Sequence, residues 1–192
     1  MAIDIVPATP DRWPDLERLF GDRGACGGCW CMTWRLPHAV YERNKGGANK
    51  RAFKKIVMSG DVPGLLAYAN DQPVGWCSVA PRAVFSFLER SRILKPVDDK
   101  PVWSVSCLFV LRQYRGQGIS VRLLKAAIDH ARRQGAPAIE GYPHDPDAKM
   151  PDAFAWTGVA SAFRRAGFTE VVRRSSHRPI MRRTLRPRSR RS

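Results

Sequence analysis

No stretch of the 192-residue chain approaches the roughly 18 consecutive apolar residues that a membrane-crossing helix needs, because charged residues, Gly and Pro interrupt every hydrophobic run. The opening residues Met1 to Pro10 have neither the basic segment nor the apolar core of a secretory signal, so a cytoplasmic location is expected. Acidic residues are scarce: 17 Asp and Glu face 33 Lys and Arg, a formal charge of +16. Such an excess attracts anions and brings nucleic acid into consideration as a partner, but it says nothing about the fold. Cysteine is sparse and odd in number. Without an export signal, Cys26, Cys29, Cys31, Cys77 and Cys107 argue against a disulfide framework and for reduced thiols.

What the chain does have is 44% hydrophobic residues, enough for one well-buried core at this length. A single domain is expected over residues 1–185, followed by a basic tail, 186–192, too poor in apolar side chains to pack. The pattern reads as α/β. Ile3 to Pro7 alternates like a strand, and Thr9-Pro10-Asp11 starts a helix that ends near Gly21. Residues 22–46 show no clear period, and Ala48 to Met58 reads as a basic helix. Gly64 to Tyr68 and Val74 to Val79 form a hairpin around a turn-rich segment. After a polar segment containing Leu88 to Lys95, Val102 to Val110 is rich in β-branched and aromatic residues and reads as a central strand. From Ser120, apolar residues repeat at helical spacing as far as Gly135, and Ala138 to Tyr142 is the next strand, parallel to the one before. A helix capped by Thr157 and stopped by Gly167 precedes two last strands, Phe168 to Val172 and Pro179 to Leu185.

The glycine-rich turn between the central strand and its helix carries the chemistry. Without side chains in the way, successive backbone N–H groups there converge on a phosphate, and the helix dipole favours its charge. A Walker loop is excluded, because Gly-Lys-Ser/Thr is absent. A dinucleotide fingerprint fits in part, through Gly116-Gln117-Gly118 and Glu140 about twenty residues on, but Val121 replaces its third glycine. The third reading rests on likeness. Val110 to Ser120, and above all Tyr114-Arg115-Gly116-Gln117-Gly118-Ile119, resembles the acetyl-CoA loop of the GNAT superfamily of acyl-CoA N-acyltransferases. Phe163-Arg164-Arg165-Ala166-Gly167-Phe168 is similar to that family's late Tyr-x-x-x-Gly-Phe, and the element order agrees over residues 3–185.

That resemblance implies a mixed, mostly antiparallel sheet with splayed middle strands flanked by helices. It implies that the amides of Arg115, Gly116, Gln117, Gly118, Ile119 and Ser120 bind the pyrophosphate of acetyl-CoA, and that the backbone of Phe109 and Val110 pairs with the pantetheine arm. The implied reaction moves an acetyl group to a primary amine that attacks the thioester directly in a ternary complex. Phe163 stands where many members have the tyrosine that protonates the leaving thiolate, and Trp156 where an asparagine often helps to hold the cofactor. Glu140 is the first choice of general base, with His144 and Asp145 behind it, and Tyr142 is the substitute acid. The alternatives are a non-catalytic acyl-CoA sensor and a nucleic-acid-associated protein. A homodimer is left open.

Cys26-x-x-Cys29-x-Cys31 brings zinc to mind, but a fourth ligand would have to come from His38, Cys77 or Cys107 and the usual second Cys pair is missing, so no metal is expected. By position in the resembled fold, this segment borders the acceptor site. Trp30, Met32 and Trp34 would then form an aromatic and thioether wall, with Arg35 free to meet an acidic group.

Overall fold

The computed structural model describes residues 2–145 and 156–185; the expected tail, 186–192, lies outside them. Seven strands make one open sheet in the order β1-β2-β3-β4-β5-β7-β6. They are β1 (Asp4–Pro7), β2 (Gly64–Ala69), β3 (Gln72–Pro81), β4 (Trp103–Val110), β5 (Ala138–Gly141), β6 (Thr169–Arg173) and β7 (Pro179–Thr184). Neighbours run antiparallel except β4 and β5, which are parallel, as the strand, loop, helix, strand sequence requires. β2 and β3 are joined by Asn70 and Asp71 with φ of 48° and 61°, the left-handed pair that a tight hairpin turn demands.

The helices are α1 (Trp13–Phe20), α2 (His38–Arg43), α3 (Gly47–Met58), α4 (Ser86–Arg90), α5 (Ile119–Arg133) and α6 (Ala160–Ala166). α5 carries the helical repeat read from the sequence and turns Leu123, Leu124, Ala127 and Ala131 into the sheet, all fully buried. Each such leucine contributes roughly 1.5–3 kcal/mol by leaving water. Gly75 on β3 brings that helix close, since a Cβ there would stand 3.3 Å from both Ile119 and Leu123. α1 and α3 cover the opposite face with aromatic rings. Phe20 meets Trp30, Phe53 and Trp76 at centroid distances of 5.6, 6.2 and 5.8 Å.

Two short helices differ from the sequence reading. α2 falls in the stretch without a period, and α4 in the segment read as polar; each buries one side chain, Tyr41 and Leu88 respectively. Thr157 does not cap α6: Val159 holds that position in extended backbone, and no side chain bonds the exposed amides. Gly167, at φ 93°, stops the helix as expected.

One feature of the sheet positions the site. β4 and β5 pair only through Trp103 with Ile139, Ser104 with Glu140 and Val105 with Gly141, and β4 then continues from Ser106 to Val110 without β5. Phe163 of α6 sits at the fork. Its ring fills the space beside Gly141, where a Cβ would come within 2.0 Å of Cε1.

Candidate active site

The turn after β4 leaves room for a ligand. Gly116 and Gly118 have φ of 74° and 77°, and a Cβ at either would meet nothing within 4 Å. Gly118 is the residue that caps α5, so the amides of Ile119 and Ser120 belong to the first turn that an α-helix leaves without internal partners. The turn is braced from within: Arg115 Nε donates to the Val110 carbonyl at 3.0 Å and Gln117 Nε2 to the Gln113 carbonyl at 3.1 Å. Backbone donors, a helix dipole and open space together make an anion site suited to phosphate.

From this turn a groove of about 550 Å³ runs along the unpaired part of β4. Leu108, Phe109 and Val110 form one wall, Val159 and Ala162 the other, and Arg112, Arg115 and Ser120 stand at the phosphate end. Leu108, Phe109, Trp156, Ala25 and Cys26 are shared with a second cavity of about 150 Å³. That inner cavity is bounded by Cys29, Cys31, Thr33, Trp34, Tyr41, Ser106 and Cys107. An anion turn, an apolar slot and a small thiol and aromatic chamber therefore follow one another in space.

The loop that carries Cys31 to the chamber is strained. Trp30 and Cys31 have φ of 42° and 54°, a backbone that costs a non-glycine residue about 1–2 kcal/mol. Packing holds it. Trp30 stacks on Trp13 at 6.0 Å, and Trp76 Nε1 donates to Cys31 Sγ at 2.9 Å from deep in β3. The thiols are not alike. Burial pushes Cys29 up to about 11. Cys107 is raised by its hydrogen bond to Cys31 and by burial, whereas Cys31 is lowered by that same bond, by Trp76 and Ser78, and by the charge of Arg35, against the opposing cost of burial. Among the described residues, no group of three His, Cys, Asp or Glu side chains is placed to hold a metal ion.

Of the four residues read as an acceptor wall, Trp34 lines the chamber. Trp30 and Met32 are core residues of the aromatic layer under the sheet, and Arg35 lies over the Phe85 ring at 4.8 Å, outside the chamber lining. Glu140 and Tyr142 are also elsewhere. Glu140 is 1% exposed; its Oε1 accepts from Arg182 Nε and Nη2 at 2.9 and 2.6 Å, and its Oε2 accepts from the Tyr142 hydroxyl at 3.0 Å. Tyr142 is fully buried and accepts from Arg82 Nη1 at 2.7 Å, which leaves Ser104 as donor in their 2.8 Å bond. Neither lines the groove or the chamber. His144 bridges Val159 and contacts Arg178, and Asp145 is held by Arg164 and Arg173 at 2.9 and 2.7 Å. Phe163 is sealed in the core.

Sequence reading missed Thr33, Tyr41 and Ser106 and considered Cys107 as a reduced thiol or a possible fourth metal ligand. Tyr41 sits on a helix with no amphipathic signal, and Ser106 and Cys107 became site residues only because β5 departs from β4.

The fold has close counterparts. The chain superposes with a TM-score of 0.57 on an acetyltransferase of the GNAT family from Listeria monocytogenes, at 11% identity and covering 95% of each chain. PaiA N-acetyltransferase from Thermoplasma acidophilum, solved in complex with coenzyme A, gives 0.54 at 17% identity over 96% of this chain and 100% of that one. A GNAT-family acetyltransferase from Streptococcus pneumoniae gives 0.52 at 14% identity over 96% and 99%. At such identities these likenesses establish the fold alone, and comparison with curated protein sequences gives no match. The sequence itself matches the family described as acetyltransferase (GNAT) over residues 30–149, most of the sheet and the whole glycine turn included, and the chain belongs to that family.

Proposed function

We propose that this chain transfers an acyl group, acetyl in the first instance, from acyl-CoA to a primary amine that attacks the thioester directly in a ternary complex. The observation that carries this reading is the continuity of the open glycine turn at the start of α5 with the slot along β4 and the inner chamber. The amides from Arg115 to Ser120 would hold the pyrophosphate, and the unpaired edge of β4 at Phe109 and Val110 would take the pantetheine amides in place of a strand. When bound there, acyl-CoA supplies the activated carbonyl. Trp34, Tyr41 and Trp156 then keep water from the inner end, so the acyl group meets the amine rather than hydroxide.

Glu140 and Tyr142 are assigned a structural part, because their polar atoms are already engaged with Arg182, Arg82 and Ser104. A protein of the cytoplasm fits this substrate pair. The test is thermal stabilisation by acetyl-CoA, followed by a panel of primary amines with free-thiol release as the readout. Stabilisation together with release for at least one amine is expected. Stabilisation without release for any amine would favour the acyl-CoA sensor, and no stabilisation at all would sink the acyl-CoA reading.

A further inference from the structure

An amine arrives mostly protonated near neutral pH and must lose a proton before its nitrogen can attack. Among the described residues, neither the groove nor the chamber is lined by an Asp, Glu, His or Lys. The ionisable groups at the inner end are the Tyr41 phenol and four thiols. Burial keeps Tyr41 protonated, and Cys29 and Cys107 are likewise held as thiols.

Cys31 stands apart by its surroundings. Its sulfur accepts from the indole N–H of Trp76 at 2.9 Å, and the Ser78 hydroxyl and the Cys107 thiol lie beside it. Arg35 adds positive charge, and its Nε and Nη2 are buried with no hydrogen-bond partner among the described residues. Three donors and a cation around one sulfur stabilise an anion there. A path to the chamber exists as well: Ser106 lines it and donates to Ser78 Oγ at 2.8 Å. Ser78 in turn reaches Cys31.

We propose that the Cys31 thiolate is the proton acceptor of the transfer, taking the proton of the incoming amine directly or through Ser106 and Ser78. The proposal rests on the acyl-transfer reading above. In the relayed form the amine N–H is given to Ser106 Oγ, the Ser106 proton passes to Ser78, and the Ser78 proton passes to Cys31. The freed lone pair forms the C–N bond as the carbon–sulfur bond of the thioester breaks; that electron pair stays on the departing sulfur, and the nitrogen, now part of a protonated amide, releases its second proton to water. Cys31, now a thiol, can hand its proton to that sulfur by the same route. The groups that face Cys31 are Cys29 on its own loop, Cys77 from β3, Cys107 from β4 and Arg35, so falling pH acts here chiefly by protonating the thiolate.

The whole chain is alkylated with iodoacetamide from acidic to alkaline pH, and peptide mass mapping follows Cys31 and the exposed Cys26 separately. The pH midpoint, rather than the absolute rate, reads the thiolate. Cys31 should show the lower midpoint, and Trp76→Phe, which deletes only the indole donor, should move it upward. Cys31→Ser should lower transfer to the responding amine by roughly 10²-fold and abolish the acid limb of its pH profile, while acetyl-CoA stabilisation is unchanged. A Cys31 midpoint at or above that of Cys26, or an acid limb that survives in Cys31→Ser, overturns the proposal. So does an acyl thioester found on Cys31 after incubation with acetyl-CoA, which would make it a nucleophile. Loss of acetyl-CoA stabilisation in the wild-type chain would instead overturn the reading on which this rests, and the alkylation midpoints would still report the thiolate.

Discussion

Arg182 on β7 lies directly opposite Glu140 on β5, and its guanidinium places both Nε and Nη2 on one carboxylate oxygen. The same guanidinium reaches outward to Asp98 at 2.6 and 3.0 Å, so one arginine joins a buried carboxylate to a surface one. Glu140→Gln removes the charge that Arg182 and Arg82 face in the interior. Breaking a buried pair from one side costs about 3–5 kcal/mol, so denaturant unfolding should move to a markedly lower midpoint. Acetyl-CoA affinity of the folded fraction should be unchanged. Wild-type stability in this variant, with a lowered transfer rate at all pH values, would restore the reading of Glu140 as the base.

The outer half of the network has a pH signature. The hydrogen bond from Arg182 holds Asp98 down at about 2, below the ordinary 3.8. A carboxylate depressed on folding stabilises the protein above its unfolded value, and that stability is lost as pH falls through the folded one. Stability followed by circular dichroism should therefore decline between the ordinary Asp range and pH of about 2. Asp98→Asn should flatten that part of the curve; an unaltered acid slope would show that the pair contributes nothing.

Gly118 caps the start of α5 and Gly135 follows its C-cap, Gln134, at nearly the same φ, 77° and 78°, and neither glycine has anything within 4 Å of a Cβ position. Valine at either position imposes the same left-handed strain, about 1–2 kcal/mol. Only Gly118→Val puts a branched side chain where phosphate would approach. Both variants should lose similar stability, and Gly118→Val alone should lose stabilisation by acetyl-CoA. Equal stabilisation of the two would refute the phosphate assignment of the turn.

Phe163→Tyr restores the hydroxyl of the related motif. The Phe163 ring is fully buried, packed beside Gly141 and Gly158. An added oxygen there overfills the fork and needs a partner, at a cost of roughly 1–3 kcal/mol. The expected result is a less stable protein with no faster turnover. A clear rise in turnover would show that thiolate departure limits the reaction and that the fork can accept a phenol.

The fold was legible where the signal is local. The apolar repeat of α5, the β-branched run of β4 and the glycines between them each follow from short-range sterics and periodicity, and the β2–β3 hairpin and the parallel pairing of β4 with β5 came with them. The chamber was not legible, because Cys31, Ser78 and Ser106 meet only through the pairing of β3 with β4 and the docking of an aperiodic loop on Trp76. α2 shows the same limit: a six-residue helix with one buried residue is held by its neighbours rather than by its own pattern. Glu140 was rightly placed on its strand. What the residues around it could not tell was that β7 would return antiparallel and put Arg182 across from it.

The ring of Phe163 occupies the volume that a side chain at position 141 would need. Position 141 therefore cannot gain a side chain alone: an alanine there is tolerable only beside something smaller at 163. The gap between β4 and β5 is thus guarded by a two-position lock, and related sequences that keep an open fork should exchange these two residues as a pair.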